Sequence, residues 1–234
     1  MRHRDNRLLA TLSSDTLALL EPALKEVSAE QGAVLLEPGE PIEYVYFPQS
    51  GMISLLVITN DGDMIETSTI GREGALGLHR GLGARRSFTR ASVQIPGRFS
   101  MITARAFEEI SLASAAIRQM IARYTEVLWA EAQQIAACNA IHDASTRLSR
   151  WLLQSADRVG SDQFALTQDF LAQMLGVRRT TVTLLAQELQ KKGIIKYSRG
   201  KMTILDRKSL ERCACECYHV IQYEKLPPEV GARL

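Results

Sequence analysis

The sequence predicts an α+β protein with a small β-roll first, a long helix next and a winged helix-turn-helix last. Three observations lead to this fold class. Residues 32–102 hold many short runs of strand-forming residues separated by turn clusters. Residues 107–138 hold the longest helical pattern in the chain. Residues 165–206 have the pattern of two short helices that meet at a glycine and are followed by a basic hairpin.

Composition fits this architecture and limits the compartment. A chain of 234 residues with 46% hydrophobic content is long enough for two small cored domains. No apolar run approaches the roughly 20 residues that span a bilayer, and the start, MRHRDNRLLATLSSD, lacks the apolar core of a secretion signal. The four cysteines do not form a framework of paired disulfides. We therefore expect a cytoplasmic protein without a membrane partner.

In the first part of the chain, the pattern of apolar residues changes at Gly32 from helical spacing to short runs of strand-forming residues. Residues 5–30 carry leucines at helical spacing, with Ser14 or Asp15 as a cap, so we expect them to be helical. After Gly32, strand formers dominate. The predicted strands are 34–36, 44–47, 52–59, 64–70, 91–95 and 99–102. Clusters such as Pro96-Gly97 separate them, which favours a small barrel or roll.

The helix predicted over 107–138 carries two adjacent seams of apolar residues. The first seam, with steps of four and three residues, contains Ile117, Ile121, Tyr124, Leu128, Glu131, Ile135 and Cys138. The second contains Met120, Val127, Gln134 and Ala137. One buried stripe would be enough for the core of a monomer, so two seams favour packing of one face on the roll and the other on a second copy. The pattern leaves open which seam contacts which partner.

A helix over Ala144–Val159 follows a hinge after Asn139. Its apolar side is formed by Leu148, Trp151, Leu152 and Leu153, and Gly160-Ser161-Asp162 ends it. We expect this helix to pack under the helix-turn-helix and to transmit movement from the first domain to the last.

Residues 165–191 have the pattern of a helix-turn-helix. Thr167 is placed to cap the first helix, and Gly176 supplies the turn. The second helix turns Val182, Leu185, Ala186 and Leu189 inward. This leaves Arg178, Arg179, Thr180, Thr181 and Thr183 at its exposed N-terminal end. In the DNA major groove, arginine pairs with guanine and threonine contacts the thymine methyl group.

A basic hairpin follows the second helix. Gly193 and Gly200 bracket a strand at 194–197, and the tip carries Arg199 and Lys201, which is typical of a wing that contacts DNA phosphates. Residues 165–212 contain ten basic and four acidic residues, a net charge of about +6 in a chain of net +2. The positive charge is therefore concentrated in the part of the chain that holds the motif.

The stretches LTQDFLAQMLGVRRTTV, LQKKGII and YSRGKMTILD resemble the DNA-binding domain of the Crp/Fnr superfamily, the bacterial regulators related to the cyclic AMP receptor and the fumarate-nitrate regulator. EPGEPIEYVYFPQSGMISLLV resembles the opening of the cyclic-nucleotide-binding β-roll of the same superfamily. The resemblance covers nearly the whole chain. It implies a homodimeric transcription regulator that binds an inverted repeat in double-stranded DNA.

The resemblance also implies how the chain is divided. We expect a roll over 1–106, a dimerisation helix over 107–138, a DNA-binding domain over 139–222 and a tail over 223–234. Base reading would fall on Arg179, Thr180 and Thr183, with Thr167 and Gln168 near phosphates. Many members of the family carry arginine where this chain has Leu184, so their base preference does not transfer. Activation would require a surface for RNA polymerase, which the sequence does not mark.

The effector pocket implied by the resemblance involves Glu73, Arg86 and Ser87. Glutamate would hold a ribose hydroxyl and arginine a phosphate. In this chain Arg72 intervenes in the usual Gly-Glu pair, the gap to the arginine is long, and Phe88 replaces a small residue. We therefore expect that cyclic AMP is not the effector. The open alternatives are a cyclic-nucleotide response, another small effector, or none, with these charges simply solvated.

A second functional class depends on the segment from Arg212 to His219. Cys213, Cys215, Cys217 and His219 suggest a metal- or thiol-based redox sensor. On one continuous helix, however, Cys215 would point away from Cys213 and Cys217, so we expect these two to be small core residues and predict no metal or other cofactor. We also predict no enzymatic activity, since the four histidines are scattered and no nucleophile elbow or phosphate-binding glycine loop occurs.

Overall fold

The N-terminal half of the chain is a roll of antiparallel strands, as predicted. The computed structural model describes residues 2–62, 64–83 and 85–220, and the predicted tail 223–234 lies outside them. The strands are β1 (Lys25–Ala29), β2 (Val34–Leu36), β3 (Tyr44–Pro48), β4 (Met52–Ile58), β5 (Met64–Ile70), β6 (Arg90–Ile95) and β7 (Gly97–Thr103). They form one sheet in the order β1-β7-β3 and another in the order β2-β6-β4-β5. Ile53, Val93 and Phe99 are fully buried in the core of the roll.

The region before the roll differs from the helix expected over 5–30. It contains the short helices α1 (Arg7–Ala10) and α2 (Ser14–Leu20), and residues 25–29 are a strand. Pro22 lies in a 3-10 turn after α2 and lacks the N–H that a continuing helix requires. The following residues pair with β7, where Val27 is opposite Phe99. The cap of α2 is Ser13, which accepts a hydrogen bond from the N–H of Thr16 at 3.2 Å, and not Ser14 or Asp15.

The helix predicted over 107–138 is two helices, α3 (Ala104–Ala113) and α4 (Ala115–Ile141). Ser114 is extended between them, and its hydroxyl accepts a hydrogen bond from the N–H of Ile117 at 3.4 Å. A serine at this point acts as an N-cap and begins a new helix. The prediction of a single helix was therefore wrong at its N-terminal end. The helix α4 also continues three residues beyond the predicted end at Cys138.

The first seam of this helix faces the chain's own core along its first turns. Ile117, Ile121 and Tyr124 are buried together with Phe107 and with residues of the roll. Leu128 and Ile135, further along the same seam, are half-buried. The roll and α3 therefore cover the first turns of this seam, and dimerisation through α4 stays a prediction.

The C-terminal half begins with α5 (Ala144–Val159), which has the predicted bounds. A winged helix-turn-helix follows it, formed by β8 (Gln163–Ala165), α6 (Gln168–Leu175), α7 (Arg179–Lys191), β9 (Ile195–Ser198) and β10 (Lys201–Ile204). The short strand β8 was not predicted, and it pairs with β10 on the side away from β9. Two short helices, α8 (Arg207–Cys213) and α9 (Cys217–Val220), come last in the described residues.

The two halves share one hydrophobic core. Met52, Leu56 and Ile95 of the roll pack with residues of α5 and α6, including Trp151 and Leu171. The α+β fold class is therefore confirmed, and the C-terminal half is docked on the roll through α5. No helix in the described ranges is both long and apolar enough to cross a membrane.

Candidate nucleic-acid interface

The helix-turn-helix is built from local signals. The Thr167 hydroxyl accepts a hydrogen bond from the N–H of Phe170 at 3.2 Å and so caps α6. Gly176 ends this helix with a φ of 62°, a conformation that favours glycine. Leu171 and Val182 are fully buried and join α6 to α7. The N-terminal end of α7 is thereby held at the surface.

The exposed end of α7 carries side chains that were predicted to contact DNA. Arg178, Arg179 and Thr180 are exposed, and Thr181 and Thr183 are half-buried. Leu184, one turn further, is 62% exposed, so the same helix also presents a large apolar side chain to solvent. An exposed leucine at such a position can contact a thymine methyl group.

Gln168 organises this surface from the first turn of α6. Its side-chain oxygen accepts hydrogen bonds from Arg179 Nε at 3.4 Å and from the Thr183 hydroxyl at 3.2 Å. Arg179 also forms an ion pair with Asp169 at 3.3 Å, with both side chains about two-thirds exposed. An exposed pair of this kind contributes little free energy. Arg179 is therefore pre-positioned but readily exchanged for a DNA contact.

The wing lies beside this end of α7. Arg199 and Gly200 form a two-residue turn between β9 and β10 with φ of 51° and 73°. Both central residues have positive φ, as in the hairpin turns that match strand twist. Arg199 and Lys201 are exposed at this tip. The Tyr197 hydroxyl donates to the Leu166 carbonyl at 3.0 Å, which ties the wing to the start of α6.

The helix-turn-helix and the wing enclose a cleft of about 470 Å³ between α6, α7 and the hairpin of β9 and β10. Its lining includes Thr167, Gln168, Arg179, Thr183, Arg199 and Tyr197. Residues separated by some 30 positions in the sequence are thus brought to one basic surface. Arg207, which contributed to the net charge of this region, does not belong to it. It pairs with Asp157 and, at 3.1 Å, with Asp162.

The predicted effector residues lie in different settings. The Glu73 carboxylate accepts a hydrogen bond from the N–H of Gly71 at 2.8 Å and pairs with Arg158 of α5 at 3.1 Å. Arg86 is exposed and donates to the Gly39 carbonyl, and the Ser87 hydroxyl donates to the Thr89 carbonyl at 2.7 Å. The carboxylate therefore faces inward while the arginine and serine bind loop carbonyls.

Sequence reasoning missed a buried ion-pair network that joins the roll, α4 and α5. Arg158 contacts Glu131 of α4 at 2.5 Å and Glu73 at 3.1 Å, and it donates to the Thr69 hydroxyl. Burial alone would lower the pKa of Arg158, but the two carboxylates raise it above its ordinary value, so the arginine stays charged. Glu131 belongs to the first of the two seams predicted on this helix. The structure buries it within the chain, where it pairs with α5.

A second buried carboxylate, Glu66 of β5, lies near the middle of α5. It accepts hydrogen bonds from Trp151 Nε1 at 2.9 Å and from the Ser54 hydroxyl at 2.5 Å. Burial raises the pKa of Glu66 to about 7, against the lowering effect of these donors. No sequence motif signals this contact, because its partners are 12 and 85 residues away.

The cysteine segment differs from the predicted single helix. The helix breaks after Cys213, and residues 214–216 connect it to α9. The break turns Cys215 and Cys217 toward Cys138 of α4 and toward His142, the C-cap of that helix. The ligand atoms of these four residues all lie within 4.8 Å of one another. Cys213 and His219 are outside this group. The pairing of Cys213 with Cys217 on one helix face was therefore wrong. Burial raises the pKa of Cys138 and of Cys215.

Comparison with known proteins agrees with this geometry. Residues 146–213 match the model of the Crp-like helix-turn-helix domain. The chain is similar to the anaerobic regulatory protein of Bacillus subtilis (strain 168), with 23% identity over 214 residues that cover 88% of this chain and 90% of the relative.

Solved structures show the same fold. FixK2 from Bradyrhizobium japonicum has a TM-score of 0.71 at 17% identity, over 82% of this chain and 98% of that one. A putative transcriptional regulator of the crp/fnr family from Eubacterium rectale has a TM-score of 0.68 at 19% identity, over 90% of this chain and 98% of that one. The order of roll, long helix and helix-turn-helix is common to this chain and these structures.

Proposed function

We propose that this chain, which belongs to the Crp/Fnr superfamily of bacterial transcription regulators, binds an inverted-repeat DNA site as a homodimer and reads it with α7. The observation that carries the proposal is the basic surface at the N-terminal end of α7 and the adjacent wing. Arg179 and Arg199 lie at the same cleft, so one surface offers both a base-reading and a phosphate-binding arginine.

The DNA contact proposed for each residue follows from its position on α6, α7 or the wing. Arg178, Arg179, Thr180 and Thr183, at the start of the recognition helix, would meet base edges in the major groove. Leu184 would add an apolar contact to a thymine. Thr167, Gln168 and Thr181 would lie near the sugar-phosphate backbone. Arg199 and Lys201 of the wing would contact phosphates without regard to sequence.

The exposed face of α4 supports the proposed homodimer. Trp129, on this face, is 67% exposed. Ala122, Ala136 and Ala140 are exposed at spacings of seven and four residues that place them in line with Trp129. Small side chains around a large aromatic one allow two helices to approach closely. A large exposed aromatic residue in line with exposed alanines is typical of an interface, so a second copy of this chain is the proposed occupant.

The symmetry of such a dimer predicts the form of the DNA site. Two recognition helices related by a two-fold axis require an inverted repeat with half-sites about one helical turn, or about 10 base pairs, apart. Selection of bound sequences from a random pool with the full-length protein tests this directly. The expected result is an inverted repeat bound by two chains, as measured by the mass of the complex. One chain bound to a single half-site would overturn the proposal.

Cyclic AMP is not the proposed effector. A ribose ligand would have to compete with Arg158 for Glu73, whose side chain is only 9% exposed. The Arg86 guanidinium binds a loop carbonyl and lies at the surface. We therefore propose that millimolar cyclic AMP or cyclic GMP leaves both the melting temperature and the DNA affinity unchanged. A rise in melting temperature with cyclic AMP that Arg86→Ala abolishes would contradict this.

A further inference from the structure

We propose that Cys138, His142, Cys215 and Cys217 bind one zinc ion, which clamps the C-terminal end of α4 to the segment between α8 and α9. Cys138, Cys215 and Cys217 are almost completely buried and form a cluster of their own. The side chain of His142 is 18% exposed and closes the group on its outer side. Three thiols and an imidazole are a ligand set of structural zinc sites.

The backbone explains why these four residues converge. Cys138 and His142 are four residues apart at the end of α4, so both side chains lie on the same face. Cys215 lies in the extended link and Cys217 begins α9, so the two sulfurs can turn to the same side although only one residue separates them. On a continuous helix this spacing would have opposed them. The helix break after Cys213 therefore completes the site.

The distances between the ligand atoms fit a tetrahedral centre. The sulfurs of Cys138 and Cys215 are 3.6 Å apart, and Cys217 Sγ is 3.7 Å from His142 Nδ1. Zinc–sulfur bonds of about 2.3 Å at the tetrahedral angle place two ligand sulfurs about 3.8 Å apart. A multi-iron cluster occupies more space between its ligands and would require these atoms to separate. A closed set of three sulfurs and one nitrogen favours zinc over metals with other preferred geometries.

The surrounding side chains act as outer-shell partners. Glu216 Oε1 lies 3.2 Å from His142 Nε2, on the side of the ring opposite to the sulfurs. A carboxylate at this position accepts the ring N–H and leaves Nδ1 free to coordinate a metal. Gln134 Nε2 donates to Cys217 Sγ at 3.0 Å. An amide N–H directed at sulfur stabilises a thiolate, which is the ligand form.

A buried arginine balances the expected charge. Three thiolates and a divalent cation carry a net charge of about −1. Arg150 is 5% exposed, and its positive charge acts on both Cys138 and Cys215. It donates to Gln154 at 2.6 Å and forms no salt bridge within the described part of the chain. Its charge also acts on the buried Glu66 carboxylate, but the two form no ion pair within the described residues, and a buried cation without a directly paired anion is costly. A net negative metal centre beside Arg150 would offset this cost.

Metal analysis of the full-length protein tests the proposal without DNA, so its outcome is independent of the proposed function. Protein purified without chelators should contain about one zinc per chain and no acid-labile sulfide. Cys138→Ser and His142→Ala should lose the zinc. Cys213→Ser is the matched control, because Cys213 lies in the same segment but outside the group, and it should keep the zinc.

A conservative variant separates coordination from folding. His142→Cys should retain zinc, because a fourth thiolate can replace the imidazole, whereas a histidine with only a packing role would not be rescued in this way. With cobalt in place of zinc, the same variant should increase the thiolate-to-metal charge-transfer absorption. Glu216→Gln should weaken zinc binding about tenfold in competition with a chromophoric chelator.

Three results would overturn the proposal. The first is wild-type protein without metal, whether its cysteines are free thiols or a disulfide. The second is iron with acid-labile sulfide in place of zinc. The third is an unchanged zinc content in both Cys138→Ser and His142→Ala, which would place the metal elsewhere in the chain. If both variants fail to fold, the zinc content of wild-type protein and of His142→Cys, with its cobalt spectrum, still decides the question.

Discussion

Arg199 occupies the first central position of the turn between β9 and β10, with a φ of 51°. A residue with a Cβ in the left-handed region carries a cost of about 1 kcal/mol, which asparagine tolerates better. The wing therefore places the arginine that is proposed to bind phosphate at a position where the backbone disfavours it. This conflict between local preference and sequence is expected at a functional residue.

Arg199→Asn should separate the two effects. We expect the free energy of unfolding to rise by up to about 1 kcal/mol in denaturant titrations. DNA affinity should fall equally for the selected site and for random DNA, with the salt dependence reduced by about one phosphate contact. Lys201→Asn is the control, because Lys201 lies in β10 and should lose DNA affinity without a gain in stability. Unchanged DNA binding in both variants would contradict the role of the wing.

Substitution of Arg179 tests base reading, as substitution of Arg199 tests phosphate contact. Arg179→Ala should cost about 1 to 3 kcal/mol on the selected site and relax the preference at one position in each half-site, with little effect on random DNA. Binding isotherms on matched and substituted sites measure this difference. Lys191→Ala, at the exposed far end of α7, should leave the base preference intact. Equal losses on all sequences would show that Arg179 contacts only phosphate.

At the scale of elements, α5 is the part on which the two halves of the chain depend. Its C-terminal turn carries Arg158, which pairs with Glu131 and Glu73, and its middle carries Trp151, which donates to Glu66. A rotation of α5 would break these contacts together. Buried ion pairs are strongly destabilising when one partner is removed. These buried polar contacts therefore help to fix the docked arrangement.

Glu66 gives this interface a pH dependence. Burial raises its pKa to about 7 from an ordinary 4.5, so between these values the folded chain binds more protons at this site than the unfolded chain. The contribution of Glu66 to stability is therefore complete below about pH 4.5 and is lost as the pH rises through about 7. Each unit of pKa shift is worth about 1.4 kcal/mol, so the total effect amounts to a few kcal/mol.

Glu66→Gln should remove most of this slope. The amide can still accept from Trp151 and has no charge to desolvate, so we expect greater stability than wild type at pH 8 and a smaller difference at pH 5. Urea titrations over this range measure the effect. A residual slope of the same sign is expected from Glu131, whose pKa is also raised, first by burial. Glu188→Gln changes an exposed carboxylate and should preserve the wild-type slope.

The helices of the helix-turn-helix could be predicted from the sequence because the signals that specify them are local. Thr167, Gly176 and the apolar periodicity of α6 and α7 all lie within a few residues of the structure that they specify. The elements and contacts that were not predicted depend on partners that are far away in the sequence. Residues 25–29 become a strand because β7 is available to pair with them. Cys138 and Cys215 meet across 77 residues only because the last helix breaks. No local pattern encodes such contacts.

At the scale of the whole molecule, α4 has two different faces. Ile117 and Ile121 pack into the chain's own core, while Trp129 is 67% exposed on the other side. In a monomer the Trp129 side chain would stay in contact with water, whereas a dimer would bury this surface on both chains. DNA binding would gain from the same contact, because the second half-site is then bound at a high effective concentration.

Trp129→Glu should convert the dimer to a monomer, because the substitution places two like charges at the proposed two-fold interface where a large apolar contact is lost. Sedimentation velocity over a concentration series measures the oligomeric state. The affinity for a full inverted repeat should then fall by about 100-fold or more, toward that for a single half-site. Leu19→Glu is the matched control, since Leu19 is a 51% exposed leucine on α2 and its change should leave the dimer intact. A dimeric Trp129→Glu variant with wild-type affinity for the inverted repeat would place the interface elsewhere on the molecule.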